Sequence, residues 1–208
     1  MVFKLNWHLD EGKFLTAVEV NRLTGFLKVR HIEAMRKNRK IGIKDWFVID
    51  LGLSTGLRVS EISNLCCSDV WIGAGRASLI VRNGKCGKQR IVKFGDDFKE
   101  HLVEYLEWKR KNGEKCDMGT PLILSTNTGG KMTTRGLQKV FERNAQKVGI
   151  VGHSIHSLRH TYATFLLRAS RNLRLVQKQL GHSSIMITEV YADILDLDLE
   201  KALQKLYR

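Results

Sequence analysis

The run 43–53 contains Trp46, Phe47, Val48, Ile49, Leu51 and Leu53 and is too apolar around its circumference for a helix lying at a surface. Such a segment is stable in water as a central helix with other elements packed around it. The flanking sequence reads as that shell. Thr16-Ala17-Val18-Glu19 fits a capping box, in which the hydroxyl covers an open backbone N–H and the carboxylate reaches back, and Leu23 and Leu27 continue its apolar stripe. After Ser54-Thr55-Gly56, which supplies turn and cap chemistry, Leu57, Ile62 and Leu65 predict a short helix reaching about Cys67. Phe98, His101, Leu102, Tyr105, Leu106 and Lys109 mark another, and 113–121, with the only proline, reads as a loop. Beyond Thr133, the positions Leu137, Val140, Phe141, Ala145 and Val148 share one face, and further helices are predicted over 157–169, 173–180 with Gly181 as its stop, 184–192 and 195–206.

One region changes period. The runs 70–72, 77–82 and 89–94 are β-prone and separated by glycine-bearing turns, which predicts an antiparallel meander. Its second turn, Asn83-Gly84-Lys85-Cys86-Gly87-Lys88, puts two lysines at a hairpin tip. The fold class is therefore mainly α (α+β), with a small antiparallel three-stranded sheet on one edge.

Lys and Arg number 35 against 21 Asp and Glu, a formal charge of +14 that would repel itself without a polyanionic partner. Nucleic acid leads; an acidic protein or anionic lipid would also suit the charge. Arg135, Lys139, Arg143 and Lys147 recur every four residues with no acid among them, so this ridge is a candidate groove-facing surface as well as a solvated face. The basic run 28–40 is read as a solvated face. No stretch approaches the roughly 20 apolar residues that cross a bilayer, and the start lacks a signal peptide's apolar centre, so a cytoplasmic chain without membrane partners is expected. Cys66, Cys67, Cys86 and Cys116 contain no Cys-x-x-Cys and read as reduced, structural thiols. Phosphate-loop, dinucleotide, zinc-hydrolase and nucleophile-elbow motifs are missing, and the acids are not grouped for a two-metal nuclease. The expectation is no metal and no cofactor, with cationic side chains carrying any phosphate chemistry.

Those side chains stand in four blocks: Thr55-Gly56-Leu57-Arg58-Val59-Ser60-Glu61, the Lys85 hairpin, His156-Ser157-Leu158-Arg159-His160, and Leu180-Gly181-His182-Ser183-Ser184 followed by Tyr191. In order and spacing they resemble the tyrosine recombinases, or phage integrase family, from about Leu15 to the C-terminus. The residue types suit the chemistry. Guanidinium forks on Arg58 and Arg159 can hold the non-bridging oxygens of a phosphodiester, and His156, one helical turn before Arg159, points to the same side. The resemblance places Arg58, His156, Arg159 and His182 in a phosphate pocket and makes Tyr191 the nucleophile. An ordinary phenol, with a pKa of about 10, is ionised only about once in a thousand at neutral pH, so neighbouring cations and a proton acceptor must assist it. Attack would form a 3'-phosphotyrosyl bond and release the 5'-oxygen as a hydroxyl. Lys85 is the candidate proton donor, with Lys88 as its rival. Glu61 looks like the acid that orients Arg58, and His160 like a support of the pocket.

The ester conserves the energy of the broken strand, so another 5'-hydroxyl can reverse the step without ATP. The implied function is site-specific recombination of double-stranded DNA. A type IB topoisomerase-like nicking and religating activity, or a non-catalytic DNA-binding regulator, are the alternatives. The implied assembly is a homo-oligomer on DNA, a tetrameric synapse with the tail passed to a neighbour, aided by accessory DNA-bending proteins and associated with the nucleoid in a prokaryote. The expected organisation is an extension over 1–14 and a catalytic domain over 15–208 with a helical tail from about 193, lacking the family's separate N-terminal DNA-binding domain. Lys93 and Phe94 stand where many relatives have Pro-Leu, and Cys86 replaces a common glycine.

Overall fold

The computed structural model describes residues 13–73, 76–82 and 89–181, together with Leu203. The described residues form seven helices, α1 (Ala17–Arg36), α2 (Lys40–Thr55), α3 (Val59–Asn64), α4 (Asp96–Lys111), α5 (Thr134–Lys147), α6 (His156–Ser170) and α7 (Leu173–Leu180), and three strands, β1 (Val70–Gly73), β2 (Arg76–Val81) and β3 (Arg90–Lys93), packed on a main apolar core and a smaller cluster of Phe14, Ala163, Leu167, Val176 and Leu180. The expected helices over 184–192 and 195–206 lie outside the described residues apart from Leu203, as does the turn 83–88. Among the described residues no helix is long and apolar enough to cross a membrane.

Local chemistry sets the elements. Thr16 caps α1 as its sequence predicts: the Glu19 N–H donates to the Thr16 hydroxyl at 3.2 Å, and the Thr16 N–H donates to the Glu19 carboxylate at 2.8 Å. The helix then buries Leu23, Leu27, His31 and Ala34 along one stripe against α2. The whole of α2 from Gly42 through Gly52 is buried, with α1, α4, α5 and α6 packed on it. Phe47 of α2 stacks on Tyr105 of α4 with ring centroids 3.8 Å apart.

This central helix also carries charges into the core. Asp45 accepts from Arg143 Nη2 at 2.6 and 2.8 Å and from the Asn144 amide at 3.0 Å, while Arg30 approaches to 3.6 Å, so one carboxylate ties α1, α2 and α5 together. Lys44 donates to Glu114 at 2.7 Å and to the Leu124 carbonyl at 2.8 Å, and buried Lys109 reaches the same carboxylate at 3.4 Å. The 113–121 loop therefore supplies a counter-ion to two interior lysines.

The helix expected to reach Cys67 stops at Asn64. Leu65 turns extended, its carbonyl accepts the Leu122 N–H at 2.8 Å, and the Cys67 N–H donates to the Thr120 carbonyl at 2.9 Å. Backbone pairing with the segment around Pro121 thus replaces the last helical turn. The strands form the expected meander in the order β1-β2-β3, antiparallel throughout, with Val70, Leu79 and Val92 aligned on one face. Leu79 and Val92 are fully buried.

Asp45→Ala removes the acceptor shared by three helices and strands two guanidiniums against an interior amide. The expected cost is about 3 kcal/mol, read as a lower urea midpoint at an unchanged m value.

Candidate active site

Helix α2 ends at Gly56 in the left-handed conformation, φ +62°, and a Cβ there would lie 2.3 Å from the Tyr162 ring. Only glycine both makes the turn and admits α6 so closely. The Gly56 carbonyl then accepts from Arg159 Nη1 at 2.6 Å, which links the end of α2 to the first turns of α6. Two residues later Arg58, extended, starts α3.

Glu61, in the first turn of α3, is the centre of the site. Its buried carboxylate accepts the Arg58 N–H at 2.8 Å and Arg58 Nη1 at 2.9 Å. Arg90 on β3 binds it with both terminal nitrogens, at 2.7 and 2.8 Å, and Arg159 Nη1 stands 3.9 Å away. Among the described residues three guanidiniums, from β3, the N-cap of α3 and α6, converge on one carboxylate, two more positive charges than negative among these four groups. Burial by itself would raise the Glu61 carboxyl, but hydrogen bonds from Arg90 and the Arg58 backbone, with both guanidinium charges, hold it down at about 2.

The arginines differ in access. The Arg58 side chain is 30% exposed, whereas that of Arg159 is 9% exposed and also donates to the Leu180 carbonyl at 2.9 Å. Leu180 ends α7, and Gly181 follows with φ +66°; a Cβ there would lie 2.5 Å from Arg90 Cδ. His156 is the first residue of α6 and exposed, lining a cleft of about 270 Å³ with Lys13, His153 and His160. His160 is pushed down to about 4 by burial, then by the charges of Arg159, His156 and Lys13. It is neutral near pH 7 and adds no cation to the cluster. The predicted Arg58, Glu61 and Arg159 are thus brought together, with His156 and His160 on the same helix as Arg159. Lys85, Lys88, His182 and Tyr191 lie outside the described residues.

The α5 ridge takes a different form from its sequence pattern. Arg135, Lys139, Arg143 and Lys147 are all exposed, but Arg143 is paired with Asp45, an acid contributed by α2. Arg135 and Lys139 line a cleft of about 370 Å³ with Thr126, Asn127 and Lys131. Burial raises the Cys67 thiol to about 11, so it is protonated at neutral pH.

Sequence reasoning missed Arg90. The available signal was its strand phase: it falls in step with buried Val92, an arginine at an inward register position. Chemically, the cluster is fit to hold an oxyanion, because fixed planar donors in a shielded setting act without reorganising.

A family model described as the phage integrase family matches residues 13–197. Tyrosine recombinase XerC of Oceanobacillus iheyensis is 35% identical over 167 residues, covering 79% of this chain and 54% of that protein. Tyrosine recombinase XerD of Staphylococcus saprophyticus is 30% identical over 192 residues, covering 92% of this chain and 62% of that protein. The chain spans about half the length of the curated relatives it matches. Among solved structures, XerA recombinase superposes with a TM-score of 0.71 at 27% identity, covering 94% of this chain and 65% of that one. The XerH site-specific recombinase, in its post-cleavage complex with a palindromic difH substrate, superposes with a TM-score of 0.74 at 23% identity, over 96% of this chain and 54% of that one.

A carboxyl held at about 2 in the fold, against an ordinary value of 4.5, contributes stability that is complete above pH 4.5 and lost as pH falls toward 2. Urea midpoints measured across that window are expected to fall steeply for the native chain and less steeply for Glu61→Gln, which has no proton to bind there. Parallel slopes would show that Glu61 is not held in this way.

Proposed function

The chain belongs to the phage integrase family, and on that premise we propose that it acts on double-stranded DNA as a site-specific recombinase, through a covalent bond to Tyr191. The observation that carries the reading is the convergence of Arg58 and Arg159 on one carboxylate from distant parts of the chain, with positive charge in excess. A backbone phosphate placed against Arg58 and Arg159 gains charge-assisted hydrogen bonds that strengthen as charge gathers on its non-bridging oxygens.

In the proposed step the Tyr191 oxygen attacks phosphorus and its proton passes to an imidazole of the pocket, His156 or His182. The phosphorus–O5' bond breaks, and the leaving oxygen takes a proton from Lys85, or from Lys88, to depart as a 5'-hydroxyl. One phosphate ester replaces another, so a 5'-hydroxyl from a second strand reverses the step and frees the tyrosine. Arg135, Lys139 and Lys147 are proposed as phosphate contacts along the duplex, with Arg143 holding α5 to α2. Exchange between two duplexes calls for more than one copy, and the reading includes a tetramer on DNA with the tail after Tyr191 exchanged between neighbours.

The test uses a duplex enriched from a randomised pool by its affinity for the protein and then nicked beside the site, so that cleavage releases a short strand and traps the enzyme. A denaturing gel should show a protein–DNA adduct with the native chain and none with Tyr191→Phe, whose DNA affinity should stay within about threefold because the phenol adds no phosphate charge contact. Adduct formation by Tyr191→Phe would refute the nucleophile, and no adduct from the native chain would leave a DNA-binding protein. Supercoil relaxation without exchange between two sites would favour the topoisomerase-like activity.

The ridge has its own readout. Arg135→Ala with Lys139→Ala should lower the slope of log affinity against log salt by about 1.8, while Arg143→Ala, whose charge Asp45 already meets, should change it much less.

A further inference from the structure

The carboxylate at the centre of the site creates an electrostatic problem. Arg58 and Arg159 can grip a phosphate only if their charge is left for it, yet both lie within ion-pairing distance of Glu61, at 2.9 and 3.9 Å. A buried carboxylate short of partners would draw these guanidiniums inward and neutralise them. Arg90 removes that demand. Its fork takes both Glu61 oxygens, at 2.7 and 2.8 Å, while the other bonds to that carboxylate come from the Arg58 backbone and from a single Arg58 nitrogen.

Arg90 is itself held in place. Its side chain is 12% exposed and rises from β3 in step with Val92. Its Nε donates to the Gln179 carbonyl at 3.4 Å, and Gln179 binds the backbone of Lys93 on the same strand. Gly181 leaves the space its aliphatic chain occupies. Sheet, α3 and α7 therefore fix both the position and the direction of the fork.

We propose that Arg90 is a positioning residue for the phosphate site: as the dedicated counter-ion of Glu61, it leaves Arg58 and Arg159 oriented and charged for a phosphodiester. This rests on the recombinase reading for its consequence in catalysis, but not for the positioning itself. Arg90 does not touch the phosphate in this scheme; it acts through Glu61. A lysine in its place restores the charge but not the planar two-point grip.

The test has two arms, both on the full chain. In the DNA-free protein, side-chain ¹⁵N–¹H spectra should show the Arg58 and Arg159 guanidinium signals shifting and exchanging more slowly in Arg90→Ala, and to a lesser degree in Arg90→Lys, as both are drawn onto Glu61. On the selected nicked duplex at saturating concentration, single-turnover adduct formation should slow by about 100-fold in Arg90→Ala and about tenfold in Arg90→Lys, as expected for loss of an outer partner that orients a site residue. DNA affinity should stay within about threefold, because no phosphate contact is lost. If Arg90→Ala fails to fold, Arg90→Lys carries the comparison.

Unchanged guanidinium spectra would overturn the proposal, as would a native cleavage rate in Arg90→Lys. So would a loss of rate matched by equal losses of DNA affinity and melting temperature, which would make Arg90 a structural residue only. A native chain that forms no adduct would defeat the recombinase reading instead, and the DNA-free spectra would still decide what Arg90 does.

Discussion

Glu61 and the three arginines around it set the terms for the rest of the molecule. Like charges repel, so three guanidiniums gather at one point only if an anion lies among them and the scaffold fixes each approach. A partly enclosed carboxylate is the smallest such anchor. It stabilises the cluster without cancelling it, since three guanidiniums face a single carboxylate. In the proposed function a second anion joins them, a phosphodiester, whose two equivalent oxygens suit the geometry guanidinium prefers.

The scaffold can be understood as the means of bringing those approaches together. Buried α2 delivers Gly56 to the site, and its turn launches α3 with Arg58 and Glu61 one helical step apart. Helix α6 packs along α2 and places Arg159 against the Gly56 carbonyl, while α7 caps the same guanidinium with Leu180. Each contact is a backbone carbonyl meeting a charged donor, so the position of Arg159 is set by main chain. The interior charges follow the same rule. Asp45 and Glu114 each face more than one cation, so part of the chain's positive excess is absorbed inside the fold.

Much of this was legible from residue order. The apolar run at 43–53 identified the central helix, Thr16 and Glu19 fixed where α1 begins, and β-prone runs between glycine turns gave the meander. The resemblance to the tyrosine recombinases, carried by the order of the motif blocks, also brought Arg58, Glu61 and Arg159 into one expectation. What escaped was non-local. The end of α3 is decided by pairing with the segment around Pro121, whose residues lie far along the chain. The α5 ridge looked free of acids because Asp45 belongs to another helix. Arg90 escaped because its strand phase with Val92 becomes informative only once packing buries that face of the sheet.

The two imidazoles on α6 show why position along one helix does not fix a role. His156 and His160 are a turn apart, yet one is exposed at the helix start and the other is partly enclosed beside Arg159. Enclosure next to a permanent cation makes a second charge costly, so His160 gives up its proton well below neutrality. A neutral ring there can accept a hydrogen bond or fill space without competing for an anion. His156 instead faces a cleft lined also by Lys13 and His153. The charge of the arginine cluster therefore does not depend on His160 being protonated, and it persists across the pH range in which that ring is neutral.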